Sequence, residues 1–456
     1  MAKIKTIWIC EECGSKQMQW TGSCPACQSW NTIHEKREDP IFPSRFDSLI
    51  SSTMEPVSLQ NISTNQFERF TIGWKDIDRL LGGGIVRGSL ILIGGEPGIG
   101  KSTLLLALAD QLTRQEKIIL YIAAEESNEQ IALRARRMGI TSGAIYLYSE
   151  IQVSKIWEAI QKIEPDIIIV DSIQMLYKEA IASAPGSVCQ VKEVAMECMQ
   201  ISKKRNITTF LVGHVTKTGE LAGPRVLEHI VDTVLEFEGD CQQGFRLLRS
   251  RKNRFGPTDD IAIFQMQKNG LSPVENPSSL FLEERKIPIS GSAIIPATQG
   301  SRALLVEVQA LVISSSFSTA SRKSTGFMLN RLSLLLAVLE KRLGYQLHAM
   351  DIFVSIAGGL KITEPALDLG VIVAMASSFL NKPLSLVTVV IGEVGLGGEV
   401  RSVRKIDMRV KEAIHMGFSS CIVPKKNSKE IPQEYFKKII IHGVEFVEEA
   451  VALLLS

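Results

Sequence analysis

Residues 95–102 read Gly95-Glu96-Pro97-Gly98-Ile99-Gly100-Lys101-Ser102 and fill the pattern G-x-x-x-x-G-K-[ST] at every fixed position. An apolar run, Ser89–Ile93, leads into the stretch, and a helical run, Thr103–Leu112, leads out of it. The motif needs that strand–loop–helix setting. Its glycines let backbone N–H groups close around phosphate oxygens, and the helix N-terminus adds the positive end of a dipole. Gly95 to Thr103 are therefore the expected phosphate cradle. Within it, Lys101 is placed to reach the β- and γ-phosphates and the Ser102 hydroxyl to ligate Mg²⁺.

Working outward, the β-rich runs Ile118–Ala123, Asp166–Val170 and Thr208–Val212 alternate with helical stretches. That alternation predicts a mostly parallel α/β sheet over residues 58–275. Ligands of such sheets gather at the carboxyl ends of the strands. Four acidic or basic groups fall there. Asp171 closes an apolar strand and fits a second Mg²⁺ holder, directly or through water. Glu125 and Glu126 follow the strand Ile118–Ala123, and either one could orient an attacking water; a solvated helix start is an equal reading. His214 follows Thr208–Val212, where a γ-phosphate sensor and a merely structural histidine fit equally well.

The chain has 456 residues, a prior of roughly three domains. Hydrophobic residues make up 45% and charged residues 22%, ordinary globular usage that excludes wholesale disorder. The net charge is +2, so the chain is no basic nucleic-acid coat, and any DNA-binding surface is local. No apolar stretch has the length of a membrane span, Leu369–Leu380 being the longest candidate, and the N-terminus carries no signal-peptide pattern. A cytoplasmic protein is expected. Its cysteines are then thiols or metal ligands rather than disulfides.

Four of the 8 cysteines, Cys10, Cys13, Cys24 and Cys27, are spaced C-x2-C-x10-C-x2-C. Each C-x2-C turn aims two thiolates at one ion, and two turns complete the tetrahedral sulfur site of zinc. A module this small has little core of its own, so the metal supplies its folding energy and the role is structural. Cys189, Cys198, Cys241 and Cys421 read as small buried hydrophobes. The organisation expected is a four-cysteine zinc module over 1–35, a linker over 36–57, the phosphate-loop domain over 58–275 and a second α/β domain over 276–456.

Phe245–Gly256 reads FRLLRSRKNRFG, with Arg246, Arg249, Arg251, Lys252 and Arg254 and no acidic residue. Such a strip could track a phosphate backbone, reach a neighbouring subunit's nucleotide, or be a solvated hairpin face. Lys217 and Arg225 sit in a Gly-containing stretch, VTKTGELAGPR, that reads either as a DNA-touching loop or as ordinary surface.

With these motifs in place, the chain resembles the bacterial RadA family, also called Sms, over nearly its whole length. This family is distinct from the archaeal recombinase of the same name. The resemblance is carried by CEECG…WTGSCPACQSWNT, LLGGGIVRGSLILIGGEPGIGKSTLL, DSIQ at Asp171–Gln174, GHVTKTGELAGPRVLEH and KNRFG (Lys252, Asn253, Arg254, Phe255, Gly256). It implies a RecA-like ATPase core that uses ATP, Mg²⁺ and Zn²⁺. Glu125 would be the catalytic carboxylate, in a G-E-E-S element whose Gly is here Ala124, and His214 the sensor. Lys252 and Arg254 would act between subunits or on DNA. The family further implies a DnaB-type homo-hexameric ring that moves on single-stranded DNA. In that setting it would extend branched recombination intermediates together with the RecA recombinase.

The C-terminal block resembles the proteolytic domain of Lon. Pro365 stands where Lon has its serine, and Asp407 where it has its lysine, so no protease activity is expected. Arg302, Arg331, Lys341, Arg342, Arg401, Arg404, Lys405 and Arg409 are candidates for a basic DNA path on that domain. Two other readings compete with the DNA motor. A Lon-type protease lacks its nucleophile here. A KaiC-class ATPase that switches protein partners would need neither the zinc module nor KNRFG.

Overall fold

The computed structural model describes residues 5–10, 16–17, 20–25, 30, 33–38, 58, 68–181, 183–214, 226–239, 244–258, 260–282, 287–315 and 320–455. They fall into two compact units, Met1–Gln66 and Phe67–Ser456. In the first, strand Lys5–Cys10 pairs antiparallel with Lys16–Gln17 on one side and Ile33–Glu38 on the other, so that Cys10 faces Ile33 in register.

The second unit opens with a sheet of nine strands among the described residues. In chain order these are β1 (Leu90–Gly95), β2 (Ile119–Ala123), β3 (Ile145–Tyr148), β4 (Ile167–Asp171), β5 (Thr208–His214), β6 (Thr233–Glu238), β7 (Phe245–Asn253), β8 (Ile261–Gln267) and β9 (Gly270–Pro273). Their spatial order is β9-β8-β7-β6-β1-β5-β4-β2-β3. The pairings from β6 to β3 are parallel, and β6 through β9 run antiparallel to one another. The expected strands are all present, with ends displaced by one or two residues. β1 and the apolar part of β4 are buried on both faces, which is why they read as unbroken aliphatic runs. The principal helices crossing between these strands are α1 (Lys101–Thr113), α2 (Asn128–Arg137), α3 (Val153–Ile163) and α4 (Val188–Arg205). A capping box starts α2: the Ser127 hydroxyl accepts from Gln130 N, and the Gln130 side chain accepts from Ser127 N.

A second sheet, of seven strands among the described residues, follows. It comprises β10 (Ser292–Gln299), β11 (Arg302–Ser314), β12 (Arg322–Thr325), β13 (Met350–Ile356), β14 (Thr388–Val390), β15 (Ser420–Pro424) and β16 (Ile440–Val444). Helices α5 (Leu329–Leu343), α6 (Asp368–Leu380), α7 (Ile406–His415) and α8 (Val447–Leu455) accompany it. The apolar Leu369–Leu380 run lies within α6, which is buried from Asp368 to Ser377. Among the described residues no helix is long and apolar enough to cross a membrane.

The two sheets share a core. Leu247, Ile261 and Ile263 of the first belong to the same apolar cluster as Ala293, Ile295 and Leu304 of the second. Polar bonds close the joint. The buried Asp260 carboxylate accepts from Ser301 N and Oγ at 2.6 and 2.8 Å. Arg302 makes a two-pronged contact with Asp76 at 2.7 and 3.1 Å.

Several surface expectations are corrected here. Arg409 is fully buried, its guanidinium bonded to Glu364, Thr298 Oγ1 and the carbonyls of Pro296 and Arg404. Arg331 is bonded through two nitrogens to the buried Asp368 carboxylate, which also accepts from Val394 N at 3.1 Å. Arg409 is thus closed off from solvent, and Arg331 is about a quarter exposed. Arg302 serves the joint. Arg401 pairs with Glu399, and Lys405 donates to Gly300 O at 2.5 Å. Arg401 and Lys405 stay exposed despite these bonds, as do Lys341, Arg342 and Arg404. Cys189 is also exposed rather than buried, while Cys198 and Cys421 are buried, and burial pushes the Cys198 thiol up to about 12. Cys241 lies outside the described residues.

Candidate functional site

The phosphate loop joins β1 to α1 at the carboxyl edge of the first sheet. Gly98 and Gly100 take φ of 77° and 112°, left-handed conformations that favour glycine. Lys101 is buried, and its Nζ donates to the carbonyls of Gly95 and Glu96 at 2.8 and 2.9 Å. Burial lowers its ammonium below the usual lysine range, and the carboxylates of Asp171 and Glu125 draw it back up. Ser102 and Thr103 follow in the first turn of α1, both half-buried.

β4 and β2 bring the acidic groups to the same edge. Asp171 ends β4 opposite Ala123, and its Oδ2 accepts from the Tyr121 hydroxyl at 2.6 Å. Tyr121 is fully buried, and burial, followed by the Asp171 charge, pushes its phenol well above the usual tyrosine range, so it stays a donor. Glu125 accepts from the hydroxyl of the buried Ser172. Its neighbour Glu126 is engaged elsewhere, in a two-pronged pair with Arg134 of α2 at 2.7 and 2.8 Å. The structure thus sets Glu125, Asp171 and Lys101 at one edge and turns Glu126 toward the helix. The His214 backbone ends β5 opposite Gly95; its side chain, Lys217 and Arg225 lie outside the described residues.

The basic strip is not one positive face. Arg246, at the start of β7, is buried and donates through Nε to Ile99 O of the phosphate loop at 3.2 Å. Arg249 pairs with Glu238 at 3.0 Å, and Arg251 pairs with Glu236 and Glu238 across the β6–β7 ladder. Lys252 Nζ donates to the carbonyls of Glu228 and Val231 at 2.6 and 2.8 Å, capping the helix Val226–Ile230. Arg254, about half exposed, lies 3.3 Å from Asp232, which also pairs with Lys203 at 2.7 Å. Asn253 Nδ2 donates to Leu80 O, and its Oδ1 accepts from Phe255 N. Phe255 O accepts from Arg69 at 3.0 Å. Gly256 packs on Gly82 so closely that a Cβ there would fall 2.5 Å from the Gly82 Cα. KNRFG is therefore a junction that ties β7 to the Leu80–Gly82 turn and to the helix Val226–Ile230.

Sequence reasoning missed Tyr121, Ser172, Arg134 and the phosphate-loop contact of Arg246. Ser172 adjoins the predicted Asp171, whereas the Tyr121 hydroxyl and the arginine contacts depend on tertiary pairing.

A family model described as an AAA domain matches residues 66–220. One for a rubredoxin metal binding domain matches 8–35, and one for subunit ChlI of Mg-chelatase matches 332–427. "DNA repair protein RadA" of Chlamydia pneumoniae is 50% identical over 453 residues, 99% of each chain. The proteins of that name from Bacillus subtilis and Halalkalibacterium halodurans are 46% and 45% identical, the former over 99% of this chain and 98% of its own, the latter over all of both. The chain belongs to the RadA family of DNA repair proteins. As its sequence predicts, the RadA-type chain combines a zinc ribbon, a P-loop ATPase domain with a largely parallel sheet, and a second α/β region. Two solved structures resemble part of it. A KaiC-like protein from Pyrococcus horikoshii OT3 is 19% identical (TM-score 0.38; 46% of this chain, 99% of that one). The ATPase domain of G40P is 13% identical (TM-score 0.40; 47% and 95%).

The rubredoxin-type match spans all four cysteines of the zinc pattern. Cys10 ends strand Lys5–Cys10, and Cys24 is buried beside the Ser23–Trp30 bridge. Cys13, Cys27 and the Cys10 side chain lie outside the described residues. Four thiolates suit Zn²⁺. Replacing Cys24 and Cys27 with Ser is expected to drop zinc content well below one ion per chain; elemental analysis showing an unchanged ratio would exclude the four-thiolate site.

Proposed function

We propose that this protein is an ATP-driven motor on single-stranded DNA that processes branched intermediates of recombination in DNA repair. The observation that carries it is the meeting of Lys101, Asp171 and Glu125 at one sheet edge in a chain similar to RadA proteins end to end. Mg²⁺-bound ATP supplies the phosphoanhydride that is split. The loop from Gly95 to Thr103 holds the phosphates through its backbone N–H groups, and Lys101 turns its donors to the β- and γ-phosphates. Ser102 and Asp171 hold Mg²⁺. Glu125 accepts the proton of the attacking water, with Ser172 fixing one carboxylate oxygen. His214 senses the γ-phosphate. Arg254, with Lys252 behind it, reaches DNA or the next subunit, and Lys217 and Arg225 line the DNA path. The reading further includes a DnaB-type hexamer, partnership with RecA, and a cytoplasmic location. The C-terminal domain acts as a scaffold without proteolysis, because proline at 365 offers no nucleophile and aspartate at 407 no general-base amine.

ATP hydrolysis measured with and without single-stranded DNA tests this, with Lys101→Ala as the blank. DNA is expected to stimulate wild-type turnover, and Arg254→Ala or Lys252→Ala to remove the stimulation while basal turnover persists. Turnover indifferent to DNA would favour a partner-switching ATPase. The neutralisation of the Arg249–Arg251 strip by Glu236 and Glu238 is the one feature on its side.

A further inference from the structure

We infer that Tyr121 is a positioning residue for the Mg²⁺-side carboxylate: its hydroxyl fixes Asp171 so that one oxygen is held and the other is free to face the phosphate loop. The inference rests on the reading of Asp171 as a Mg²⁺ holder and adds a residue to that site.

The geometry carries it. Tyr121 lies on β2, two residues before Ala123, which sits opposite Asp171 on β4. Its ring is fully buried in the cluster that includes Leu104, Leu105 and Ile169, on the α1 side of the sheet. Phenylalanine would fill that space equally well. A hydroxyl placed there is desolvated and is tolerated only because it has a partner. The partner is Asp171 Oδ2, at 2.6 Å, well within hydrogen-bond range. A phenol has one proton to donate, so it holds one oxygen and one rotamer of the carboxylate. Groups that orient a metal-holding carboxylate in this way commonly change metal affinity or activity about 10- to 100-fold when removed.

The test uses the full-length chain and the affinity of a fluorescent ADP analogue, measured in EDTA and again in Mg²⁺. Wild type is expected to bind more tightly with Mg²⁺. Tyr121→Phe is expected to match wild type in EDTA and to lose about tenfold of the Mg²⁺-dependent gain. Asp171→Asn should abolish that gain, and adding Tyr121→Phe to Asp171→Asn should change nothing more. If Asp171→Asn keeps the gain, the reading of Asp171 is wrong and the inference goes with it. If Asp171→Asn loses the gain and Tyr121→Phe keeps it, only the role given to Tyr121 is overturned. A Tyr121→Phe chain that does not fold would overturn it too. A hydroxyl that merely orients one carboxylate contributes no more than a hydrogen bond to stability.

Discussion

Glu125→Gln is expected to lower ATP turnover by about 10²- to 10⁴-fold, the range for loss of a positioned general base, while nucleotide affinity stays near wild type. The amide keeps the size of the side chain and can still accept from the Ser172 hydroxyl. What it loses is the capacity to take a proton. Glu126→Gln is the control, because the two carboxylates are neighbours in sequence and separated in function by Arg134. Glu126 spends both oxygens on that guanidinium at 2.7 and 2.8 Å, with about a third of its side chain exposed. Removing its charge should cost about 1 kcal/mol of stability, as for a partly exposed ion pair, and leave turnover within a few-fold. Single-turnover hydrolysis together with fluorescent-nucleotide binding separates the two outcomes. The opposite pattern, with Glu126→Gln inactive and Glu125→Gln active, would reassign the base.

Arg409→Met is expected to destabilise the second unit by about 3 kcal/mol, the low end of the penalty for removing one partner of a buried ion pair, because the Glu364 side chain is itself about a fifth exposed. Its guanidinium is fully buried and bonded to Glu364, to Thr298 Oγ1 and to two carbonyls. The substitution leaves the Glu364 carboxylate with only Thr298, whose N and Oγ1 donate at 2.8 and 2.7 Å. Adding Glu364→Leu should recover part of the loss, since an apolar pair of similar volume often replaces a buried ion pair at little cost. Urea unfolding followed by far-UV circular dichroism reads both effects. A single-variant loss under about 1 kcal/mol would mean that the pair is well hydrated and that Arg409 belongs to the surface after all.

The contrast between Lys101 and Arg409 shows what a linear reading can and cannot see. Lys101 was legible because its partners are its own loop, within a few residues, and the glycine spacing announces the backbone geometry. The buried strands β1 and β4 were legible because burial on both faces forces an aliphatic run. Arg409 was misread because its partner Glu364 lies 45 residues away, and a lone arginine carries a strong surface prior. The same holds for Arg249 and Arg251. Their strip contains no acid, yet the neighbouring strand supplies Glu236 and Glu238, and antiparallel pairing places them alongside. Tyr121 was missed because tyrosine in an apolar strand is ordinary. Only the register with β4 brings its hydroxyl to Asp171.

The shared core between the two sheets has a practical consequence for dissecting this protein. Leu247, Ile261 and Ile263 of the ATPase sheet are covered by residues of the C-terminal region, and Asp260 finds its close donors on Ser301. Cutting the chain near residue 275 would expose an apolar wall in the fragment that retains the phosphate loop and take both Ser301 donors from Asp260, leaving it Arg79 at 3.6 Å. The same wall adjoins β7, whose Arg246 holds Ile99. Inactivity of such a fragment would report a damaged ATPase, not a catalytic role for the part removed. Substitutions within the intact chain are the cleaner way to ask what the C-terminal half contributes.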